Sequence, residues 1–488
     1  MKFPLALLPL LFLRPISAAP SVCKCTPDHQ RWKKLDWGRL NSTVSGKLIH
    51  NLPPAVSCYP GPAYDNEECA YVNSQWSNTS FQSEEPIGEL PGKCKLGSSP
   101  IYSINATEPG DLAAGIAFAQ KNNVRLVVRN TGHDLLGKSS GYGSLQIWLK
   151  YLQKGIQYQS KYQPSDSCSS GDWRGAAFSV TGGYVWDDVY EEAFARDLIV
   201  VGEGDPTVGV IGGYIQGGGH PPANRDFGLA SDQILEAQVI LADGLIVTAN
   251  PRSHPDLFTA IRGGRGGTYG VVISVTTKAF PSTPVVAHTL VVFPQSTLNF
   301  DPITKYGNSS AGYQHAFAAL NISLAEAQAA LDPVRSKLAS HPSITASVQW
   351  FEFPFYSAYY RALSGVHQST GTPESALASR MFDKDALTSD RKALRDMIDI
   401  IAGTRGWLES MGPVIAQAIQ DDITYNKYQA MRDLTPSGGS YVNEADRNSP
   451  WWKEDFYGLA NYDRLVGIKG KYDPEGVFYC PTCVGSPS

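Results

Sequence analysis

The chain has no surplus of basic charge: 41 Lys and Arg stand against 46 Asp and Glu, for a net charge of −5. Nucleic acid and anionic membrane surfaces attract basic patches, so neither is an expected partner. Beyond the N-terminus no run is apolar for long enough to cross a bilayer. None of the glycine clusters has the G-x-G-x-x-G spacing of a Rossmann dinucleotide site. The nine histidines are scattered, with no pair at metal-ligand spacing, and there is no internal repeat or low-complexity run.

What is present is an ordinary globular balance, 42% apolar and 18% charged, in 488 residues. That is enough for two or three cores, or for one large domain with an insertion. With 46 Gly and 33 Pro, much of the chain must be turns and loops. Residues 1–19, MKFPLALLPLLFLRPISAA, join an early Lys to a short apolar stretch and small residues. They read as a secretory signal cut near Ala18 or Ala19, too short and too Pro-broken for an anchor. Export makes an oxidising compartment the context for the eight cysteines, and an even count there favours disulfides. Cys480 and Cys483 form one CxxC with no second such motif and no following helix, so structural pairing is expected over a redox or zinc site. Sequons at Asn41, Asn78, Asn105, Asn308 and Asn321 fit a glycosylated surface.

Residues 20–100 are loop-rich and poorly periodic. The pattern then sharpens into a helix over TEPGDLAAGIAFAQKNN (107–123) and a buried strand in VRLVV (124–128). AFSVTGGY (177–184) reads as strand and turn, and VWDDVYEEAFAR (185–196) as a helix. ILEAQVILADGLIVTAN is two strands joined at Asp243-Gly244, the strongest short hairpin signal. Residues 263–280 give a glycine turn and another strand. After Pro281 the glycine clusters thin out. Strand-like VVAHTLVVF and TASVQWFEF alternate with helix-like SLAEAQAALDPVRSKLAS and SDRKALRDMIDIIAG, as in a separate lobe whose sheet carries helices on one face. The aromatic run 349–363 is lobe core or a flat apolar substrate surface, core being the default.

The stretch RNTGHDLLGKSSGYGS (129–144) is too Gly-rich for a helix interior and too polar for a core strand. Its GKSSG matches G-x-S-x-G, but a hydrolase elbow needs a strand ending immediately before the motif and a helix immediately after it. Here the strand ends near Val128 and no helical run follows. Consecutive glycines instead let backbone amides converge on an anion. Three such tracts, 129–144, 202–219 and 263–270, each flanked by strands, suggest a phosphate or pyrophosphate cradle.

These residues match a known pattern. RNTGHDLLGKSSGYGSLQIW, PTVGVIGGYIQGGGH, SYVNEAD and KYDPEGVFY together resemble the secreted fungal FAD-linked oxidoreductases. Those enzymes are similar to berberine-bridge enzymes and belong to the vanillyl-alcohol-oxidase superfamily. The likeness covers roughly 23–281 and 436–488. It implies an α+β fold: a PCMH-type two-subdomain FAD-binding domain (20–281, completed by 436–488) and an α+β substrate lobe (282–435) whose antiparallel sheet is covered by helices. It also implies FAD as cofactor, a small-molecule substrate, O2 as acceptor, a secreted location and a monomer.

Carried over by position, His133 bonds covalently to the flavin 8α-methyl carbon. Many relatives have a second link through a Cys directly before P-T-V-G. This chain has Asp205 there, and a carboxylate forms no thioether, so a single link is expected. Arg129, Asn130, Thr131, Gly132, Asp134, Gly137, Ser139 and Ser140 are expected along the pyrophosphate and ring edge. Gly209, Gly213, Gly218, Gly219 and His220 follow the ring and ribitol, and Gly270 and Val272 the adenine. Tyr441 and Asn443 lie beneath the flavin. Tyr441 is the candidate base or proton relay, provided a neighbouring cation or hydrogen bond lowers its pKa, with packing against the flavin the equal alternative. The implied reaction is oxidation of an alcohol, phenol or activated C–H bond, as in secondary metabolism. Sugar or simple-alcohol oxidation, or FAD-scaffolded cyclisation without net redox change, are the alternatives.

Overall fold

The computed structural model of the protein describes residues 24–75, 78–87, 95–165, 173–294, 313–342, 344–363, 378–402 and 413–486. The signal reading at 1–19, Cys23, Cys94, Cys168 and Asn308 lie outside these residues.

The first sheet has strands β1 (Leu48–His50), β2 (Tyr102–Asn105), β3 (Leu126–Arg129) and β4 (Leu145–Trp148) in the order β1-β2-β4-β3, with β2 and β3 each parallel to β4. The Pro109–Asn122 helix, which packs on β2 and β4, begins where the sequence places it. Pro109 sits where no backbone donor is needed, and the Asp111 carboxylate accepts from the Thr107 and Glu108 amides at 3.0 and 3.1 Å. Leu112, Ile116 and Ala119, one helical face, are buried. Parallel strands need a crossover, commonly a helix. Between β3 and β4 the crossover is instead the glycine-rich loop 130–144, which leaves the carboxyl end of β3 and carries His133.

The second sheet contains β5 (Ile156–Gln159), β6 (Ala177–Thr181), β7 (Leu198–Val200), β8 (Ile234–Ile240), β9 (Ile246–Ala249) and β10 (Val271–Pro281). The order is β5-β6-β10-β8-β9, with β7 paired to β10, and every pairing is antiparallel. β8 and β9 are the hairpin expected at Asp243-Gly244. The third sheet places β11 (Val285–Pro294) between β12 (Tyr313–Leu320) and β13 (Ile344–Phe353). The Leu324–Ala339 helix packs against β13, its start fixed by a Ser323–Glu326 capping box.

Tyr356, Tyr359 and Tyr360, on the helix after β13, are buried. Tyr360 packs against Tyr190 at 4.1 Å and against Phe194 at 5.8 Å, both on the Trp186–Phe194 helix. These three tyrosines are therefore core. At the other end of the chain, Arg265 donates to the Thr482 carbonyl (2.9 Å) and the Val442 carbonyl (2.6 Å), and Lys469 to the Thr268 carbonyl (2.5 Å). The last fifty residues are thus tied back onto the 263–270 glycine turn.

Two expectations need correction. The segment 24–100 is not merely loop: it holds helices Trp37–Thr43, Asn66–Ser74 and Thr79–Glu84, each started by a side-chain cap from Asp36, Asp65 or Asn78. They are short and bury few residues, so periodicity does not reveal them. Among the sequons, Asn105 lies inside β2 with its amide oxygen buried, a poor glycan acceptor, and the Asn41 amide accepts from Leu48 N. Asn78 and Asn321 are exposed. Among the described residues the cysteines pair as Cys58–Cys69 and Cys480–Cys483, and Cys25 is buried with no disulfide partner among them.

Candidate functional site

His133 leaves the end of β3 on the 130–144 loop, and its imidazole meets the segment Asp205–Gly209. His133 Nε2 lies 2.6 Å from Thr207 Oγ1 and 3.9 Å from Asp205 Oδ1. Asp205 Oδ1 accepts from both the Thr207 amide and the Thr207 hydroxyl, each at 2.8 Å. This is an Asx turn that Pro206 stiffens. Burial pushes the His133 pKa down and the Arg129 charge adds to this, while Asp205 pulls the other way. The ring is held neutral at physiological pH.

The loop braces itself. Asp134 accepts from the Ser139 and Leu136 amides, Thr131 Oγ1 accepts from Gly209 N at 3.3 Å, and Ser140 donates to the Ser98 carbonyl. Gly209 runs against Asn130 so closely that a Cβ would lie 2.4 Å from the Asn130 amide nitrogen. A Cβ on Gly217 would meet Asn443 Nδ2 at 2.5 Å. At both places a side chain already lies where the Cβ would go, so a larger residue would have to push it aside.

Asn443 joins the two walls. Its Oδ1 accepts from Lys138 Nζ at 3.0 Å, and its Nδ2 donates to the Gly213 carbonyl and the Tyr441 hydroxyl, both at 2.9 Å. Burial, helped by the Arg265 charge, pushes Lys138 down to about 7, with Asp134 opposing. Next to Tyr441, at 4.8 Å between ring centres, is His220, whose Nε2 is 3.0 Å from Glu444 Oε1. That bond holds the His220 pKa up. Glu203, half-buried close by, has its carboxyl pushed up by desolvation. Among the described residues no cluster of His, Cys, Asp or Glu could hold a metal ion, and no helix is long and apolar enough to cross a membrane.

Comparison with known proteins decides what this geometry belongs to. Residues 100–250 match the FAD binding domain family, and residues 440–485 the family described as berberine and berberine like. The chain is 35% identical to the FAD-linked oxidoreductase hmp9 of Hypomyces subiculosus, over 95% of this chain and 88% of that one. It is 30% identical to the bifunctional decalin synthase calF of Penicillium decumbens, over 100% and 98%. The crystal structure of the VAO-type flavoprotein MtVAO713 from Myceliophthora thermophila C1 superposes with a TM-score of 0.88, at 34% identity over 95% and 97% of the two chains. The chain belongs to the FAD-linked oxidoreductases of this family.

FAD suits the residues present. Both amide atoms of Asn130 are buried without a partner among the described residues. Lys138, on the same loop and bonded to Asn443, adds a side chain suited to an anionic group.

Several residues expected at the cofactor also make contacts within the protein. The Arg129 guanidinium donates to the Gln82 carbonyl (2.7 Å) and the Thr131 carbonyl (3.3 Å), so it staples the loop to the Thr79–Glu84 helix. Gly270 is explained by strand packing, since a Cβ there would lie 2.6 Å from the Ile240 carbonyl oxygen, and Val272 is a buried rung of the β8–β10 ladder. Neither needs adenine to account for it. The expected lowering of the Tyr441 pKa is not met. Burial pushes the phenol well up and Glu203 and Glu444 add to this, with only Asn443 and the Gly219 amide acting the other way. Gly132, Gly137, Gly218 and Gly219 all have positive φ at bends of the two walls.

Four residues at the site escaped sequence reasoning: Lys138, Glu203, Thr207 and Glu444. Lys138, Thr207 and Glu444 lie inside the quoted motifs, beside more conspicuous residues. A lone Lys in a Gly/Ser loop and a hydroxyl two residues after an Asp were the available signals.

Proposed function

We propose that this chain oxidises an alcohol, a phenol or an activated C–H bond of a small organic molecule in secondary metabolism, with O2 as acceptor, and that His133 carries its FAD through a single covalent bond. The observation that supports the reading is the His133 imidazole held 2.6 Å from Thr207 Oγ1, between the 130–144 loop and the 205–209 segment. FAD, when bound, supplies the hydride acceptor and the route to O2. Asn130 and the amides of the 130–137 and 209–219 walls would hold it, with Lys138 and Asn443 opposite. Tyr441 stays protonated under its neighbours' influence and offers its O–H to the substrate, its oxygen already accepting from Asn443. The His220–Glu444 pair beside it is the better proton acceptor, since an imidazole titrates near working pH. On this reading the protein is exported, bonded at Cys58–Cys69 and Cys480–Cys483, and acts as a monomer.

Kinship with a bifunctional decalin synthase supports a second reading, in which the same cleft also folds a polyene or quinone for cyclisation. Anaerobic mixing with substrate separates the two. Bleaching of the flavin band supports the oxidase, and product formed with an unchanged band supports the cyclase. Purified protein that is colourless, or a His133→Ala protein that keeps acid-stable flavin, would falsify the covalent oxidase reading.

A further inference from the structure

We propose that Asp205, acting through Thr207, is the positioning residue that sets the His133 imidazole in the tautomer able to attach the flavin. The inference rests on the covalent reading above and deepens it. The argument is one of hydrogen counting. Thr207 has a single hydroxyl hydrogen, and it points to Asp205 Oδ1 at 2.8 Å. The same carboxylate holds the Thr207 amide at 2.8 Å, so a fixed, charged acceptor outcompetes the neutral imidazole for that one hydrogen. Thr207 Oγ1 therefore has only lone pairs to offer His133 Nε2, 2.6 Å away. His133 Nε2 must carry the ring proton, and Nδ1 is left with its lone pair bare. Nδ1 is the nucleophile.

The step then balances. One bond forms, from His133 Nδ1 to the flavin 8α-methyl carbon. Two bonds break: a C–H of that methyl group, and the Nε2–H of His133, whose proton leaves through Thr207 toward Asp205. The electron pair of the methyl C–H reduces the flavin ring. O2 takes that pair and the two protons as hydrogen peroxide, restoring the oxidised ring. Burial favours the neutral, nucleophilic ring before the step, and the carboxylate 3.9 Å from Nε2 receives the proton after it. Asp205 thus does more than forgo a second tether: where relatives have a thiol, this chain has an acceptor that orients the first.

The test compares wild type with Thr207→Val, Thr207→Ser, Asp205→Asn, Asp205→Ala and His133→Ala, each purified as secreted. The fraction of flavin that stays with acid-precipitated protein is measured at harvest and during incubation with added FAD. Outer partners that fix a histidine's tautomer are worth about 10–100-fold. Thr207→Val and Asp205→Ala should slow attachment by that much, Asp205→Asn by less because an amide oxygen can still accept, and Thr207→Ser should restore the wild-type rate. In Asp205→Ala the acid limb of the attachment rate should also move to lower pH, as the carboxylate's hold on the imidazole goes. Should Thr207→Val fold poorly, the Thr207→Ser, Asp205→Asn and Asp205→Ala rates decide the matter. Wild-type attachment rates in Asp205→Ala and Thr207→Val, with His133→Ala losing all acid-stable flavin, overturn this proposal alone. Acid-stable flavin in His133→Ala, or none in wild type, overturns it together with the covalent reading.

Discussion

Lys138 Nζ donates to the Asn443 side-chain oxygen at 3.0 Å, linking the loop after β3 to a residue three hundred positions later. The contact joins the 130–144 loop to the 440–443 segment, and burial pushes the lysine down to about 7.

Lys138 therefore makes a pH prediction. With its pKa down to about 7 in the flavin-free fold, the unfolded chain binds more protons than the folded one between about 7 and the ordinary lysine value of 10.5. Stability of flavin-free protein should rise with pH across that window, and Lys138→Met should flatten the rise. An anionic group beside Lys138 restores its proton. FAD binding to a His133→Ala protein at pH about 8 should thus take up close to one proton, seen as a buffer-dependent heat in calorimetry. Equal heats in two buffers of different ionisation enthalpy would count against this placement of the lysine.

The His220–Glu444 pair gives a second prediction, of opposite sign. Its hydrogen bond raises the His220 pKa in the folded protein. The associated stabilisation is complete below the unfolded value of 6.5 and fades as pH rises through the folded one. Glu444→Gln should shift the His220 titration, followed by imidazole proton NMR, to lower pH. If His220 is the proton acceptor, the acid limb of the turnover profile should move with it. A titration that does not move means Glu444 is not what holds His220.

Much of this was legible in the chain itself. The Pro109–Asn122 helix, the Asp243-Gly244 hairpin and the strands around 271–280 follow from capping, turn chemistry and alternation, which are local. The position of His133 was legible from its motif. Its tautomer was not, because that depends on Thr207, some seventy residues later, and on a hydrogen bond whose direction a third residue sets. Tyr441 shows the opposite failure. A phenol in a motif suggests a base, but only its neighbours show that two carboxyls and burial keep it protonated. Arg129 reads as a cofactor ligand from its motif, and its bond to the Gln82 carbonyl was not legible there, because that helix is too short to be seen in periodicity.

The glycines separate binding from stability. At Gly217 an added Cβ would run into Asn443 Nδ2, the atom that reaches Tyr441 and Gly213. Gly217→Ala should lower the flavin-to-protein ratio with little loss of melting temperature, since a side-chain end can move aside. At Gly270 the obstacle is the Ile240 carbonyl in a paired strand. Gly270→Ala should cost about 1–3 kcal/mol of stability, read by thermal melting, while flavin content in the folded fraction holds. Reversed outcomes would show that the β8–β10 ladder, and not the Asn443 wall, contacts the cofactor.

Asp455 ties the 380–435 and 440–457 segments together. Its carboxylate accepts from Arg380 at 2.7 Å, Arg432 at 3.0 Å and the Tyr428 hydroxyl at 2.8 Å, and its carbonyl accepts from the Ser440 amide, one residue before Tyr441. Arg380 and Asp455 side chains are 0% and 1% exposed. Removing one partner of such a pair strands a buried charge. Asp455→Asn should therefore destabilise the protein by about 3–5 kcal/mol, against well under 1 kcal/mol for the exposed Arg361–Glu191 pair. Because Tyr428 also bonds Ser440 Oγ at 2.8 Å, the loss should loosen the 440–443 segment. Tyr428→Phe, which keeps the charges paired, should be far milder in denaturant unfolding. Near-equal losses from both substitutions would show that the hydroxyl network, rather than the ion pair, holds the two parts.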